Sequence, residues 1–396
     1  MDITIYPCAL RGEISVIPSK SQAHRLLICA AFADKPTTIL CSQTNKDMDA
    51  TASCLRALGA EIEETKQGYR VTPAGNIPPC AELNCGESGS TLRFMLPVVG
   101  ALGVDAIFRM EGRLPQRPLS PLWEEMERMG CCLSRPEESA LRCCGRLQAG
   151  RYSIDGGVSS QFITGLLLGL SLMKDESELE ITGKVESKPY IDLTKQAMAL
   201  FGADPEHLGR DAFVSPGVVD VEGDWSNGAF FLCANALGSE LRICGLREDS
   251  VQGDRAVLNI LSQLQAGKPT VSAADIPDLV PILSVVAASK NGAVFTDIAR
   301  LRLKESDRVE SVCKMLASLG GKTEATENTL TIYPAAFTGG TVDSYADHRI
   351  AMSAAIAATV ASGPVTILGA QCASKSYPTF WDEYARLGGN YEQYLR

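Results

Sequence analysis

The sequence predicts an α/β protein of two similar domains. Three observations carry that prediction: the length, a recurring helix end, and a second set of apolar helices interleaved with it. At 396 residues the chain is long for one core and comfortable for two, taking about 150 residues per domain. The helix end recurs as Leu55-Arg-Ala-Leu-Gly59-Ala, Met126-Glu-Arg-Met-Gly130-Cys, Met198-Ala-Leu-Phe-Gly202-Ala, Leu316-Ala-Ser-Leu-Gly320-Gly and Tyr384-Ala-Arg-Leu-Gly388-Gly. A weaker sixth copy is Leu261-Ser-Gln-Leu-Gln-Ala266-Gly267. Each reads as an amphipathic helix stopped by a left-handed Gly and followed by a strand.

The interleaved helices open on small polar residues, Gly or Pro. Their entries are Ser19-Lys20-Ser21, Gly86-Glu-Ser-Gly89-Ser90, Gly157-Val-Ser159-Ser160-Gln161, Asp224-Trp-Ser-Asn-Gly228, Asp275-Ile-Pro-Asp278 and Asp343-Ser-Tyr-Ala-Asp347-His348. Leu166–Met173 and Ile350–Val360 are apolar nearly all round, so these helices belong in the interior, and the charged set lies outside. Six units of roughly 70 residues exceed most solenoid periods and divide naturally three and three. Val221-Glu-Gly-Asp224 begins the fourth unit, and Met1–Ile17 can pair back with the second half. The expected domains are therefore 18–222, and 1–17 plus 223–396.

Composition excludes several classes. Asp plus Glu number 47 against 37 Lys plus Arg, a net charge of −10, opposite in sign to a general nucleic-acid binder. The longest nearly polar-free runs, Phe162–Met173 and Ala351–Ala361, are short of the roughly 20 residues a bilayer demands. Met1–Tyr6 is acidic and strand-like, with no basic n-region or apolar h-region, so a cytoplasmic location is expected. The 14 cysteines then read as free thiols rather than a disulfide framework. The doublets Cys131-Cys132 and Cys143-Cys144 superficially resemble a metal site, but neighbours on a strand point to opposite faces, which disfavours zinc. Only three His are present, and H-E-x-x-H, Walker A and G-x-G-x-x-G are all missing.

The chemistry concentrates at helix entries and turns. Lys20 opens a buried helix, where a cation opposes the macrodipole unless an anion also lies there, bound by backbone N–H groups, Ser21 and the ammonium. Asp347-His348-Arg349 repeats the pattern. Lys304 and Arg308 are four apart, and would share one helical face if a helix already runs there. Arg117 and Lys375 are flanked by turn residues, and Gly89 lets backbone approach a ligand closely. Each cation taken singly reads equally well as a solvated charge or a surface ion pair. Their recurrence in an acidic protein favours a site for a small polyanion. Asp278 at a helix entrance and Glu305 beside Lys304 are carboxylates that near cations would be ionised and able to accept a proton. Ser159-Ser160-Gln161 adds three hydrogen-bonding side chains in a row.

These segments together resemble a known family. Ser19-Lys20-Ser21…Arg25, Gly86-Glu-Ser-Gly89-Ser90-Thr91…Arg93, Arg113…Arg117-Pro118, Val158-Ser-Ser-Gln161-Phe162, Ser187-Lys-Pro-Tyr190-Ile191-Asp192, Ile276-Pro-Asp278, Leu303-Lys-Glu-Ser-Asp-Arg308, Asp347-His-Arg349 and Lys375-Ser-Tyr-Pro378 occur in order across residues 18 to 378. In this they resemble the EPSP synthases (3-phosphoshikimate 1-carboxyvinyltransferases) of the enolpyruvyl transferase family. The resemblance implies two similar domains, each of three repeated βαβαββ units with buried helices, in an inside-out α/β barrel with the active site in the interdomain cleft. It implies transfer of the enolpyruvyl group of phosphoenolpyruvate to the 5-hydroxyl of shikimate 3-phosphate, releasing phosphate, on the way to chorismate and the aromatic amino acids. By the resemblance Lys20, Ser21, Arg25, Ser159, Ser160, Gln161, Ser187, Asp278 and Lys304 would hold shikimate 3-phosphate. Lys20, Gly89, Arg117, Gln161, Arg308, Arg349 and Lys375 would meet phosphoenolpyruvate. Asp278 would take the hydroxyl proton, with Glu305 and Lys20 as partners in proton transfer whose division of labour stays open. No metal or organic cofactor is implied, and a monomer with two small-molecule substrates is expected, with neither nucleic acid nor membrane as partner.

Two departures qualify the resemblance. Glu87 stands where many members have Asn, so it is expected to turn away or pair with a cation. Arg300 takes the place of a substrate-binding Asn in some members and is left outside the site. Gly89 is retained, and inhibition by glyphosate is expected. The alternatives are UDP-N-acetylglucosamine enolpyruvyl transferase and a non-catalytic anion-binding protein. The first would show Lys-Asn at Lys20-Ser21 and usually a reactive Cys in the Arg113–Pro118 loop. The second has no use for Asp278 and Glu305.

Overall fold

The computed structural model describes residues 1–209 and 213–394. Its chain falls into two compact units, Pro18–Glu222 and a second made of Met1–Ile17 with Gly223–Arg396. The helices of the first are α1 Lys20–Ala31, α2 Lys46–Ala57, α3 Gly89–Leu102, α4 Leu122–Arg128, α5 Ser160–Leu170 and α6 Lys188–Leu200. Those of the second are α7 Trp225–Ala236, α8 Val257–Ala266, α9 Val280–Ser289, α10 Arg308–Ser318, α11 His348–Ala358 and α12 Phe380–Arg386.

Odd- and even-numbered helices differ as their sequences require. α3, α5, α9 and α11 are buried along nearly their whole lengths and form the centre of each unit's apolar core. α10 buries Val309, Val312, Met315 and Leu316 and leaves its charged side outward. Contact between buried helices is close because small residues permit it. A Cβ added at Gly165 of α5 would fall 2.2 Å from the Arg93 carbonyl oxygen of α3, and one at Gly169 would fall 2.7 Å from that of Pro97. Both positions therefore reject any side chain, and overpacking of this kind costs about 1–3 kcal/mol or more.

Strands join these helices into small sheets, three in each unit among the described residues. One sheet shows the full run: Cys80–Asn84 pairs parallel with Asp105–Arg109, then Ala140–Gly145 and Cys131–Glu137 follow antiparallel. The same order recurs as Thr270–Ser272, Ala293–Thr296, Thr329–Tyr333 and Lys322–Ala325. Two further sheets complete themselves with a strand from elsewhere in the chain. Val218–Asp220 pairs with Thr37–Leu40, and Asp2–Tyr6 inserts between Val365–Leu368 and Asn390–Tyr394. The third sheet of each unit has just a parallel pair, Arg151–Asp155 with Glu178–Thr182 and Arg11–Ser15 with Glu240–Cys244. Two of the six repeats thus hold only their parallel pair among the described residues, and the others add the antiparallel pair.

The helix-end repeat holds in five copies. Gly59, Gly130, Gly202, Gly320 and Gly388 have φ between 71° and 105°. The sixth differs, because Gly267 has φ 174°, an extended conformation open to any residue. After Gly202 no strand begins until Val218, so that copy lacks its strand among the described residues. The cysteine doublets divide as strand geometry demands, with Cys131 and Cys143 buried and Cys132 exposed. No helix among the described residues is long and apolar enough to cross a membrane.

In four of the repeats the first strand leads on to a buried helix. Asn84 precedes α3 and Asp155 precedes α5, while Ser272 and Asp343 precede α9 and α11. The N-termini of the buried helices, with unsatisfied backbone N–H groups, therefore stand at the carboxyl ends of those strands, where functional residues collect in α/β folds.

Candidate active site

Two clusters of polar side chains form at these helix N-termini, one in each unit. In Pro18–Glu222 the entries are capped by serine: Ser19 accepts from the Gln22 N–H, Ser88 from Thr91 and Ser159 from Gln161. Lys20, the first residue of α1, donates to Asp47 at 2.9 Å. Ser21 follows it, and its carbonyl accepts from Arg25 Nη1 at 2.5 Å.

Arg25 is buried at 2 % exposure. Its Nε donates to Thr194 at 2.8 Å, and its Nη2 to Thr164 at 3.1 Å and the Tyr190 carbonyl at 2.9 Å. All four acceptors are neutral. Burial pushes the Arg25 pKa down to about 9, so its charge is undercompensated by its surroundings.

Gly89 begins α3 beneath the Arg117 guanidinium, since a Cβ there would fall 2.6 Å from Arg117 Nη1. Arg117 Nε is buried without a hydrogen-bond partner. Gln161 accepts from Arg93 Nη1 at 2.6 Å and donates to Ser90 at 2.9 Å. Ser159 and Ser160 open the same helix, α5. Ser187 caps α6 in the left-handed region, φ 57°, a strained setting for a residue with a side chain. Glu87 is exposed, with its carboxylate against Gly112, where a Cβ would meet Oε1 at 2.7 Å.

The second cluster is centred on Arg308, 1 % exposed at the first turn of α10. Its Nη1 donates to Asp278 at 2.6 Å, its Nη2 to Glu305 at 2.7 Å and its Nε to Asp347 at 2.9 Å. Asp278 stands just before α9 and accepts also from Arg349 at 3.3 Å, with Lys304 Nζ 4.0 Å away. Burial alone would raise the Asp278 pKa, but Arg349, Lys304 and Arg308 outweigh it and hold the carboxyl well below the usual range. Lys304 moves the other way. Burial lowers it to about 8 against the pull of Asp278, with Arg308 and Arg300 adding to the decrease. Lys375 ends a short 3-10 turn, Ala370–Lys375, in the same unit.

Lys304 and Arg308 do not share a helical face. Asp307 caps α10, which starts at Arg308, and Lys304 is extended with φ −84° and ψ −157°. The two still converge, because both reach Oδ1 of Asp278.

Several participants carried no assignment in the sequence. Arg93 lies inside the Thr91…Arg93 segment, and a charged residue between Leu92 and Phe94 in a buried helix is the signal that marks it. Asp47, Thr164 and Thr194 are long-range partners with no local mark.

The sequence model of EPSP synthase (3-phosphoshikimate 1-carboxyvinyltransferase) matches residues 6–384. The chain is 35% identical over 419 residues to the 3-phosphoshikimate 1-carboxyvinyltransferase of Clostridium kluyveri, covering 99% of this chain and 98% of that one. It is 36% identical over 431 residues to that of Clostridium beijerinckii, covering 99% of each. In fold it is similar to the EPSP synthase of Acinetobacter baumannii, with a TM-score of 0.81 at 24% identity over 99% of this chain and 100% of that one. The enolpyruvyl transferase NikO of Streptomyces tendae has a TM-score of 0.78 at 18% identity, covering 99% of this chain and 98% of that one. With the family's sequence model matching nearly end to end, the chain belongs to the EPSP synthase (3-phosphoshikimate 1-carboxyvinyltransferase) family.

Proposed function

We propose that residues of both units act on one pair of substrates, phosphoenolpyruvate and shikimate 3-phosphate, and transfer the enolpyruvyl group to the 5-hydroxyl with release of phosphate. The activity is that of the family. The observation that carries the residue assignment is Asp278, a carboxylate kept ionised by Arg349, Lys304 and Arg308 at a helix entrance.

In this reading Arg25, Lys20, Ser21, Ser159, Ser160, Gln161, Ser187 and Lys304 hold shikimate 3-phosphate. Arg117, Arg308, Arg349, Lys375, Lys20, Gln161 and the backbone at Gly89 receive phosphoenolpyruvate. Arginine suits the work because its planar fork matches carboxylate and phosphate oxygens in pairs. Asp278 accepts the proton of the 5-hydroxyl as that oxygen bonds to C2 of phosphoenolpyruvate, and the methylene carbon C3 is protonated. The resulting tetrahedral adduct then loses a proton from C3 and expels phosphate from C2, restoring the double bond. A carboxylate held so low is a weak base in the free protein. When substrate anions share Arg349, Lys304 and Arg308, their hold on Asp278 weakens and its basicity rises toward what the step demands. Glu305, on Arg308, and Lys20, on Asp47, are the remaining proton carriers beside the reaction. A monomer acting in the cytoplasm is part of the proposal; the fourteen cysteines, all free thiols, suit a reducing compartment.

The test is phosphate release from phosphoenolpyruvate without added metal, in the presence of either shikimate 3-phosphate or UDP-N-acetylglucosamine. Release confined to shikimate 3-phosphate, with an enolpyruvyl product, is expected. Release confined to the sugar nucleotide, or none from folded protein, would overturn the reading.

A further inference from the structure

A buried carboxylate outside the assigned residues reaches Arg349 through one intermediary. Asp254 lies in the 3-10 turn Gly253–Ala256 that leads into α8, and is 2 % exposed. It accepts a hydrogen bond from the Ser226 hydroxyl, on the first turn of α7. The backbone carbonyl of the same Ser226 accepts from Arg349 Nη1 at 3.2 Å, while Arg349 Nη2 reaches Asp278 at 3.3 Å. The neighbouring Gln252 fastens the turn to α7 as well, accepting from the Trp225 N–H at 3.0 Å and donating to the Gly223 carbonyl at 2.9 Å. The segment 252–254 therefore fixes the first turn of α7, and that turn supports the guanidinium. Two atoms here lack a protein partner although buried: Asp254 Oδ1 and Arg349 Nε. An unsatisfied buried acceptor costs about 1–3 kcal/mol. A role is needed to explain its place.

We propose that Asp254 is a positioning residue for phosphoenolpyruvate binding: through Ser226 it holds Arg349 in place, and its ionisation sets how much positive charge Arg349 offers to the substrate. The inference rests on the assignment of Arg349 to phosphoenolpyruvate made above. The charged groups facing Asp254 are Asp224 at the cap of α7, Asp278 before α9 and Arg349 on α11. Burial raises its pKa to about 7, with Asp278 and Asp224 adding to the rise and Arg349 opposing it. Below neutrality the neutral acid leaves Arg349 to Asp278 and the incoming anion. Above it a further negative charge competes for the same guanidinium, and the substrate is held less tightly.

The experiment compares wild type with Asp254→Asn and Asp254→Ala, measuring kcat and the KM for phosphoenolpyruvate from pH 5.5 to 8.5. Substrate phosphates titrate alike for all three, so differences between profiles belong to the protein. The wild-type KM is expected to rise about fivefold or more relative to Asp254→Asn as pH crosses neutrality, a typical size for coupling between two sites. Asp254→Asn, which stays neutral and can still accept from Ser226, keeps the low-pH KM throughout. Asp254→Ala raises KM at every pH with kcat little changed. Superimposable profiles for wild type and Asp254→Asn would overturn the inference, and that pair decides if Asp254→Ala fails to fold. A wild type without turnover would refute the assigned reaction and take this inference with it, whereas active wild type with unchanged variants refutes Asp254 alone.

Discussion

Arg25 in one unit and Arg308 in the other are buried to nearly the same degree, yet their surroundings push them in opposite directions. Arg25 rests on two threonine hydroxyls and two carbonyls, and burial brings its pKa down to about 9. Burial would lower Arg308 too, but Asp347, Glu305 and Asp278 more than reverse it. The cation of Pro18–Glu222 lacks a counter-charge that a ligand can bring. The cation of the second unit already has three carboxylates, and two of them, Asp278 and Glu305, are candidates to move protons. In the proposed function, binding of an anion dominates the first cluster, and acid–base chemistry held in place by charge dominates the second. Both follow from the cost of an isolated charge in a low-dielectric site.

The largest expected effect breaks the second cluster. Asp278→Asn preserves shape but cannot accept the proton, and kcat should fall on the order of 1,000-fold in a steady-state phosphate-release assay. Activity within threefold of wild type would remove Asp278 from the proton transfer.

Next comes the first cluster. Arg25→Ala removes the undercompensated cation, and the KM for shikimate 3-phosphate should rise about 100-fold, the worth of a charge-assisted hydrogen bond or two. Arg25→Lys should fail to restore it, because an ammonium cannot bond Thr164, Thr194 and two carbonyls in the guanidinium geometry. Full rescue by lysine would show that charge alone matters there.

A smaller effect is expected at Gly89. The methyl of Gly89→Ala meets the far end of a flexible side chain, Arg117 Nη1 at 2.6 Å, so the guanidinium must move while the fold stays intact. The KM for phosphoenolpyruvate should rise about tenfold, with Tm within about 2 °C of wild type. A large drop in Tm would mean that Gly89 serves packing instead.

The smallest effect is a pH dependence. Lys304 titrates near 8, so it is charged below that pH and neutral above it. The KM for shikimate 3-phosphate should rise a few-fold as pH passes about 8, and Lys304→Arg should flatten the rise. Stability runs the other way. The folded pKa of about 8 lies under the ordinary lysine value of 10.5, so the unfolded chain binds more protons between them and folding strengthens as pH increases through that window. Urea denaturation of wild type and Lys304→Met should reveal that slope and its loss.

What could be read from the sequence was local. The serine caps at Ser19, Ser88 and Ser159, the aspartates Asp224 and Asp347, and the glycine stops at five helix ends all act on backbone within a few residues. A Gly or Ser at such a position therefore declares itself without knowledge of the fold. Gly267 misled because the same residue type serves an extended link as readily as a left-handed cap. Lys304 and Arg308 misled in a different way, since spacing of four suggests a shared helical face only where a helix exists. Asp307, visible between them, is the cap that starts the helix after Lys304. Partners chosen by tertiary packing left no trace: Asp47 for Lys20, Thr164 and Thr194 for Arg25, Asp254 and Ser226 behind Arg349. Of the two strands that complete sheets from distant parts of the chain, the one in Met1–Ile17 is anticipated, since that segment is left over before the first repeat. The pairing of Val218–Asp220 with Thr37–Leu40 has no mark, because pairing across nearly two hundred residues has no periodicity.

The most direct test of this division of labour is the Kd for shikimate 3-phosphate, measured calorimetrically for wild type, Arg25→Ala and Asp278→Asn at one pH, with turnover recorded on the same samples. The account predicts that Arg25→Ala loses binding by about two orders of magnitude, while Asp278→Asn binds within several-fold of wild type and turns over on the order of 1,000-fold more slowly. Equal loss of binding in both variants, or near-wild-type turnover in Asp278→Asn, would contradict it.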